Sequence, residues 1–430
     1  MQYEEFVFEE YRYDPARSTL SLRYSYRDGP RFEEQLVFDF VPRQLSAAAS
    51  EVLDRIFRLI LLLSGVSYYK AFIPQLLTCR AFELDETTAG FLQKFYEKGL
   101  AEFAFKNGIS LQGHFRFQSS SRPATPPITV DLPNRICVPI GGGKDSIVTV
   151  ECLRGGGEPP VLFSLGDAEP IAACIAAARL PFIRVYRRLD PSLLEFNQAG
   201  VLNGHIPITG ILSAIALASA VMSGCNAVAM SNEHSASAAN LALDGVEINH
   251  QYSKSFEFEQ DFARYVESFI SPSISYFSLL RPLSEIEIAR RFAKFPEYFD
   301  IFRSCNTAFR QAREERGRHW CCNCPKCRFV FLALSPFVAK ADLIEIFGGN
   351  LLDDGTQGDG FAELCGLRAN KPFECVGEIS ESAGVMCYLA DHPDWRDDRV
   401  VRRLNEEFPS LRDNGSAELQ ELFKTRHPHR

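Results

Sequence analysis

The sequence predicts an α/β protein: a parallel sheet with helices on both faces, preceded by a small α+β region and followed by a helical, cysteine-containing one. Three observations carry that prediction. From Asp131, short apolar runs alternate with helical ones (CVPI, SIVTVECLR, PVLFSL, IAACIAAARL, PFIRVYRR), the βαβ rhythm of a sheet buried on both faces. Residues 1–40 alternate polar and apolar side chains instead, the pattern of half-exposed antiparallel strands. After about residue 255 the rhythm fades into helical spacing, and cysteines cluster between positions 305 and 327.

A chain of 430 residues is too long for one comfortable core, so two or three domains are expected. Hydrophobic content of 46% and charged content of 23% describe an ordinary globular protein. The net charge of −9 argues against nucleic acid as a partner, because no basic excess is available to neutralise phosphates. The opening MQYEEFVFEE is acidic and alternating, with no secretory signal. Thirteen cysteines in such a chain imply a reducing, cytoplasmic setting and thiols or metal ligands rather than disulfides. Thirty-five phenylalanines suggest large apolar contacts between domains or subunits, with oligomeric state open. Ile206–Met230 has 25 residues without a charge, long enough to span a membrane. Its Pro207, Gly210, Gly224 and Asn226, among many small residues, predict a buried helix and then a buried strand instead.

In chain order, YEEFVFEEYRYDP, TLSLRYSYRDG and RFEEQLVFDF read as a small antiparallel sheet with turns at Asp14-Pro15 and Asp28-Gly29. Ser46–Ser64 has helical spacing with Gly65 as its stop, and Ser67–Gly108 is mostly helical. The polar, proline-rich Ser119–Pro127 is the best boundary in the chain. It sets residues 1–125 apart as an N-terminal α+β domain with no chemical motif of its own. Residues 126–255 form the parallel core, ending with helix Thr209–Ser223 and strand Ala227–Met230. Residues 256–390 are mostly helical, Phe256–Phe309 included, and 391–430 are a charged peripheral tail.

The chemistry centres on Arg135–Ser146, RICVPIGGGKDS. A buried strand, three glycines (Gly141, Gly142, Gly143), Lys144, Asp145, Ser146 and then a helix make a phosphate-binding element. Glycine lets the backbone approach an anion, and the helix N-terminus adds a favourable field. Asp145 and Ser146 also suit helix N-caps, and Lys144 suits either phosphate or solvent. Parallel sheets bind ligands at the carboxyl ends of their strands. Gly141–Ser146, Ser164–Asp167 and Ser231–Ser235 are therefore expected on one rim.

Glu233 and His234, in the dense polar run SNEHS, suit direct substrate or metal work there. His250–Lys254 is a second polar group, and His205, between Gly204 and Pro207, suits a substrate loop or simply a turn. Cys321, Cys324 and Cys327 have C-x2-C-x2-C spacing, and Cys305 can supply a fourth thiolate for zinc or an iron–sulfur cluster. Cys322 is left over, or replaces Cys321.

The glycine loop resembles the S-G-G-x-D-S element of the PP-loop ATP pyrophosphatases (the adenine nucleotide alpha-hydrolase-like fold), with Gly141 in place of the first serine. That resemblance implies ATP cleaved between its α and β phosphates, Ser146 bonded to pyrophosphate, and Asp145 orienting the loop or holding Mg2+. It further implies adenine or ribose at Ser164, Leu165 and Gly166, with Asp167 less firmly placed. One distant cysteine followed by C-x2-C-x2-C is similar to the structural zinc site of the 7-cyano-7-deazaguanine synthases, also PP-loop enzymes. The whole chain, through PIGGGKDS, SNEHSAS and HWC-x-x-CPKCRFVFLAL in that order, resembles the UDP-N-acetyl-α-D-muramoyl-L-alanyl-L-glutamate epimerases (MurL-like). The family implies a cytoplasmic enzyme of peptidoglycan synthesis that uses ATP and Mg2+ to convert the terminal L-glutamate of UDP-N-acetylmuramoyl-L-Ala-L-Glu to D-glutamate. An acyl-adenylate would acidify the α-proton, with Glu233, His234, His205 and His250 as acid and base candidates and Lys144 assisting. The alternatives are a PP-loop ligase or thiolase acting on a nucleobase, and a non-catalytic adenine-nucleotide-binding protein.

Overall fold

Strand formation follows the apolar patterning. The computed structural model describes residues 3–123, 125–243, 246–309, 319–368 and 372–414. Its strands are β1 (Glu5–Asp14), β2 (Thr19–Tyr26), β3 (Arg31–Phe38), β4 (Leu76–Cys79), β5 (Arg116–Phe117), β6 (Ile136–Pro139), β7 (Val161–Leu165), β8 (Phe182–Arg188), β9 (Ala227–Met230), β10 (Leu241–Leu243), β11 (Val246–Ile248) and β12 (Ser275–Ser278). Ten of them form one sheet in the order β12-β9-β6-β7-β8-β3-β2-β1-β4-β5, while β10 and β11 pair separately. From β12 to β8 every neighbour is parallel.

The antiparallel strands of the N-terminal region are present, but they do not make a free-standing sheet. Gln35–Phe38 pairs antiparallel with Val185–Arg188, so the parallel core continues into them. A buried ion pair closes this seam, with Arg187 Nε 2.7 Å from Glu34 Oε1 and a second bond from Arg187 to Ser67 Oγ. The result is a mixed α/β fold with an N-terminal α+β part and a C-terminal helical, cysteine-rich part.

Successive strand residues face opposite sides, and the sheet has a core on each. Cys137, Val161, Phe163, Val228 and Met230 join one apolar cluster with helices Ala47–Ser64 and Ile208–Ser223. Val138, Ile140, Leu162 and Ala229 join the other, with helices Lys144–Arg154, Glu285–Phe292, Pro325–Leu334 and Ile379–Asp391. Many phenylalanines lie inside these cores (Phe6, Phe8, Phe95 and Phe103 in one, Phe292, Phe302 and Phe331 in the other). The uncharged stretch is a buried helix followed by strand β9, as its small residues and glycines predict. No helix among the described residues is long and apolar enough to cross a membrane.

Gly65 caps the end of its helix, as expected, with φ −56°. It is small because a Cβ there would lie 2.5 Å from the Phe8 ring. The stretches expected to be helical at 67–108 and 256–309 each contain a strand, β4 and β12. Both are four residues long, too short for a periodic signal, and parallel pairing with β1 and β9 decides them. Within the expected tail, helices Arg399–Glu407 and Leu411–Asn414 are described, and its His/Arg end lies outside the described residues.

Candidate functional site

From β6 the chain runs to β7 and β8 on one side, then returns to lay β9 and β12 on the other. Two neighbouring strands whose connections leave in opposite directions open a crevice at their carboxyl ends. Gly141–Ser146 and Ser231–Ser235 both begin there, following β6 and β9.

The glycines are not equivalent. Gly142 has φ +76°, and a Cβ on it would lie 3.0 Å from the backbone of Pro170 and Ile171. A Cβ on Gly143 would meet Ser304 Oγ at 2.8 Å, whereas one on Gly141 would meet nothing within 4 Å. Gly142→Ala is therefore expected to cost at least about 1–2 kcal/mol from the left-handed conformation alone, with ATP affinity falling as well. Gly141→Ser should leave both unchanged. Urea midpoints and ATP titration check the pair, and equal effects would refute the assignment. Gly143 is the N-cap of helix Lys144–Arg154 with no side-chain cap, so the cap role open to Asp145 and Ser146 is not the one they take. The Ser146 hydroxyl donates to Gly143 O at 3.0 Å and accepts from Gly141 N–H at 3.3 Å.

Lys144 does not face solvent. It is buried, with Nζ 2.5 Å from Asp145 Oδ1 and paired to Glu285 Oε2. Burial alone would lower the Lys144 pKa, but Asp145 and Glu285 hold it above its ordinary value. Burial raises the Glu285 pKa well above its ordinary value; Lys144 opposes the rise, and Asp145, Glu233 and Glu381 add to it. Glu233 comes in from the β9 loop, so that Asp145, Glu233 and Glu285 oxygens lie within 4.8 Å of one another. Three carboxylates around one ammonium leave excess negative charge, an environment suited to a hard cation.

A second group adjoins the first. Helix Ala101–Asn107 brings Glu102 to His250, whose Nδ1 is bonded to Glu102 Oε2, and His205 lies 4.3 Å from His250 between ring centroids. Glu102 also accepts from Lys106, so its carboxylate is already engaged on two sides. Burial works to raise the Glu102 pKa, yet bonds from His250 and Lys106 hold it at about 2. Burial would depress His250, but Cys375 and Glu102 raise it to about 9. Burial and then the charge of His250 push His205 down to about 4. Between the groups lies Lys254, whose Nζ donates to Cys375 Sγ at 3.3 Å and whose field is shared with Glu233 and Asp145. Arg281 ties them together, donating to Glu233 O at 2.6 Å, to Lys254 O at 2.7 Å and to Glu259 Oε2 at 2.7 Å.

Of the residues singled out from sequence, the structure gathers Lys144, Asp145 and Glu233 in one group and His205 and His250 in the other. His234 is exposed and belongs to neither. Ser164 lies one residue before the end of β7, and its buried hydroxyl has no hydrogen-bond partner among the described residues; the same holds for Ser231 Oγ. Unpaired buried hydroxyls on a crevice rim suit a polar ligand. Gly166 follows with φ +89°.

Sequence reasoning missed Glu285, Glu102, Cys375 and Arg281. Glu285 reads as an ordinary acidic first-turn residue after the Ser284 cap. Glu102 lies in a region without a motif, and Cys375 stands far from the cysteine cluster.

The cysteine cluster assembles as its spacing suggests: the Cys305, Cys321, Cys324 and Cys327 sulfurs lie within 4.8 Å of one another. Cys322 is turned away, with φ +53° and its thiol donating to Phe347 O at 3.1 Å. The cluster is linked to the glycine loop, because Arg303 N–H donates to Gly142 O at 2.8 Å, two residues before Cys305.

Residues 1–279 match the family model of the MurL N-terminal domain, and residues 301–419 match that of the MurL C-terminal domain. The chain is 39% identical over 429 residues to the UDP-N-acetyl-alpha-D-muramoyl-L-alanyl-L-glutamate epimerase of Xanthomonas oryzae pv. oryzae, covering 100% of this chain and 95% of that one. It is 41% identical over 408 residues to the enzyme of the same name from Salinispora tropica, covering 94% and 89%. Against that of a Micromonospora species, identity is 41% over 431 residues, covering 99% and 95%.

Proposed function

From a chain that belongs to the MurL family of UDP-N-acetyl-α-D-muramoyl-L-alanyl-L-glutamate epimerases, we propose an enzyme that inverts the terminal L-glutamate of UDP-N-acetylmuramoyl-L-Ala-L-Glu to D-glutamate. The observation that carries the mechanism is the single crevice joining a glycine-loop helix start to a cluster of acids, bases and cations. Taking an α-proton beside a free carboxylate would create a second negative charge next to the first. Transfer of AMP from ATP to that carboxylate, with pyrophosphate leaving, removes the obstacle. A base then takes the proton from one face and an acid returns one to the other. Hydrolysis of the adenylate releases D-product and AMP.

The chain's own residues divide this work. The uncapped N–H groups at Gly143–Asp145 and the close approach allowed at Gly142 suit the phosphates. Asp145, Glu233 and Glu285 fit Mg2+, which would neutralise phosphate charge when bound. Ser164 and Gly166 suit the nucleoside. His205 and His250 suit proton transfer or the positioning of the group that makes it, and Lys254 supplies positive charge beside a developing enolate. Cys305, Cys321, Cys324 and Cys327 fit a structural zinc in a donor set of four thiolates. The N-terminal helix carrying Glu102 forms one wall, giving that region a part in the site. The implied setting is cytoplasmic peptidoglycan precursor synthesis.

The test is incubation of the UDP-linked dipeptide with ATP and Mg2+ in D2O. Expected are AMP, pyrophosphate, and solvent deuterium at the glutamate α-carbon of the D-product. ADP and phosphate would reject the adenylation, and inversion without exchange would reject proton removal. Consumption of a deazapurine or RNA substrate in place of D-glutamate formation would reject the substrate.

A further inference from the structure

The proposed reaction needs a group free to meet the α-carbon, and several sequence-derived candidates are otherwise engaged. Glu233 adjoins Asp145 and Glu285, Lys144 is enclosed by carboxylates, and His250 bonds Glu102. Cys375 is engaged too, but by a cation. It is half-buried, with Lys254 Nζ at 3.3 Å, and His250 is near enough to lower its pKa. Glu102 thus bonds the imidazole of His250 and Lys254 bonds the thiol of Cys375, while the thiol and Glu102 together raise the His250 pKa.

We propose that Cys375 is one of the two catalytic acid–base residues, exchanging the glutamyl α-proton on one face, with His250, Glu102 and Lys254 positioning it. This rests on the epimerisation reading above. In the step, the Cα–H bond breaks as the thiolate takes the proton. The electron pair of that bond moves into the activated acyl group as an enolate, and a second group returns a proton from the opposite face. The thiol then loses its proton to solvent and the donating group takes one from it, so no atom is gained or lost and only configuration changes.

Three further observations support the placement. Arg281 spans the backbone carbonyls of Glu233 and Lys254, which sets the sulfur's partner next to Glu233 of the β9 loop. The strap carrying Cys375 is anchored just before it: Pro372 O accepts from Asn240 Nδ2 at 2.9 Å, and Phe373 packs on Phe105 with centroids 5.7 Å apart. The sulfur also has the right ionisation. Burial would raise its pKa, yet Lys254, His250 and Lys326 bring it down to about 6, so a thiolate is present at neutral pH.

The experiment follows two signals separately on full-length protein with UDP-N-acetylmuramoyl-L-Ala-L-Glu, ATP and Mg2+ in D2O. Cys375→Ser is expected to keep AMP formation within a few-fold while α-deuterium incorporation falls about 10²–10⁴-fold, the usual contribution of a positioned acid or base. Cys375→Ala should behave alike, and iodoacetamide labelling at Cys375, located by peptide mass, should abolish exchange in step with its extent. Exchange that survives either substitution, or full labelling, overturns the proposal. A glutamyl thioester trapped on Cys375 by acid quench also overturns it, because the sulfur would then be a nucleophile. A wild type that exchanges deuterium without making AMP sinks the adenylate reading alone, and a wild type that exchanges none sinks both.

Discussion

Protein in which Cys324 or Cys327 is replaced by serine is expected to lose its metal and much of the stability of its C-terminal half. About one zinc per chain is expected in the wild type purified without added metal. Apparent binding energies of structural zinc sites run to about 10–16 kcal/mol, comparable with the whole stability of an ordinary domain at about 5–15 kcal/mol. The Cys305, Cys321, Cys324 and Cys327 group links the segment before residue 310 to the start of helix Pro325–Leu334. The loss should reach the glycine loop too, since Arg303 bonds Gly142 O and Ser304 packs on Gly143. ATP affinity should therefore fall along with the metal content. Cys322→Ser is the control and should retain the metal, because its thiol bonds the Phe347 carbonyl outside the cluster. Metal analysis, limited proteolysis and ATP titration read these outcomes. Unchanged zinc in Cys324→Ser, a visible-absorbing cluster, or zinc lost from Cys322→Ser would each defeat the assignment.

The second large effect is an asymmetry between Lys144 and Glu285. Lys144→Met leaves Asp145, Glu233 and Glu285 facing one another without their internal cation. Removing one partner of a buried ion pair typically costs about 3–5 kcal/mol. Protonation of Glu285, already favoured by burial and its acidic neighbours, offsets part of this, so a loss of about 3 kcal/mol is expected. Glu285→Gln keeps the shape and leaves Lys144 paired with Asp145, so its cost should stay below about 1.5 kcal/mol, near that of one hydrogen bond. Urea midpoints without Mg2+ measure both. Added Mg2+ should raise the midpoint of the wild type and do so less in Glu285→Gln. Equal losses in the two variants would mean that the pair does not stabilise through charge.

The course from sequence to site was uneven, and particular residues show why. Glycine, lysine, aspartate and serine in one unbroken run after an apolar strand mark a strand–turn–helix junction locally, since strand, turn and helix start are consecutive in the chain. The cysteine spacing is local in the same way, and sequence left only Cys321 and Cys322 undecided. The structure groups the Cys321 sulfur with the other three, while the left-handed Cys322 turns its thiol to the Phe347 carbonyl. The N-terminal region is the contrary case. Its alternation announced strands, but no pattern in residues 31–38 states that they pair with residues 185–188. That pairing depends on edges and on a Glu34–Arg187 bond formed between residues 153 positions apart.

By itself the sequence determined the α/β core, the glycine loop, the four sulfurs and the family resemblance, because each is written in contiguous residues or fixed spacings. Tertiary structure alone decided the site's chemistry. Glu102, Glu285 and Cys375 come from three distant stretches, and only the packed fold brings them to the loops after β6 and β9. Ionisation follows from that packing too. A glutamate, a histidine and a cysteine have ordinary pKa values until burial and specific neighbours shift them, and neighbours across 273 residues, such as Glu102 and Cys375 on either side of His250, exist only in three dimensions.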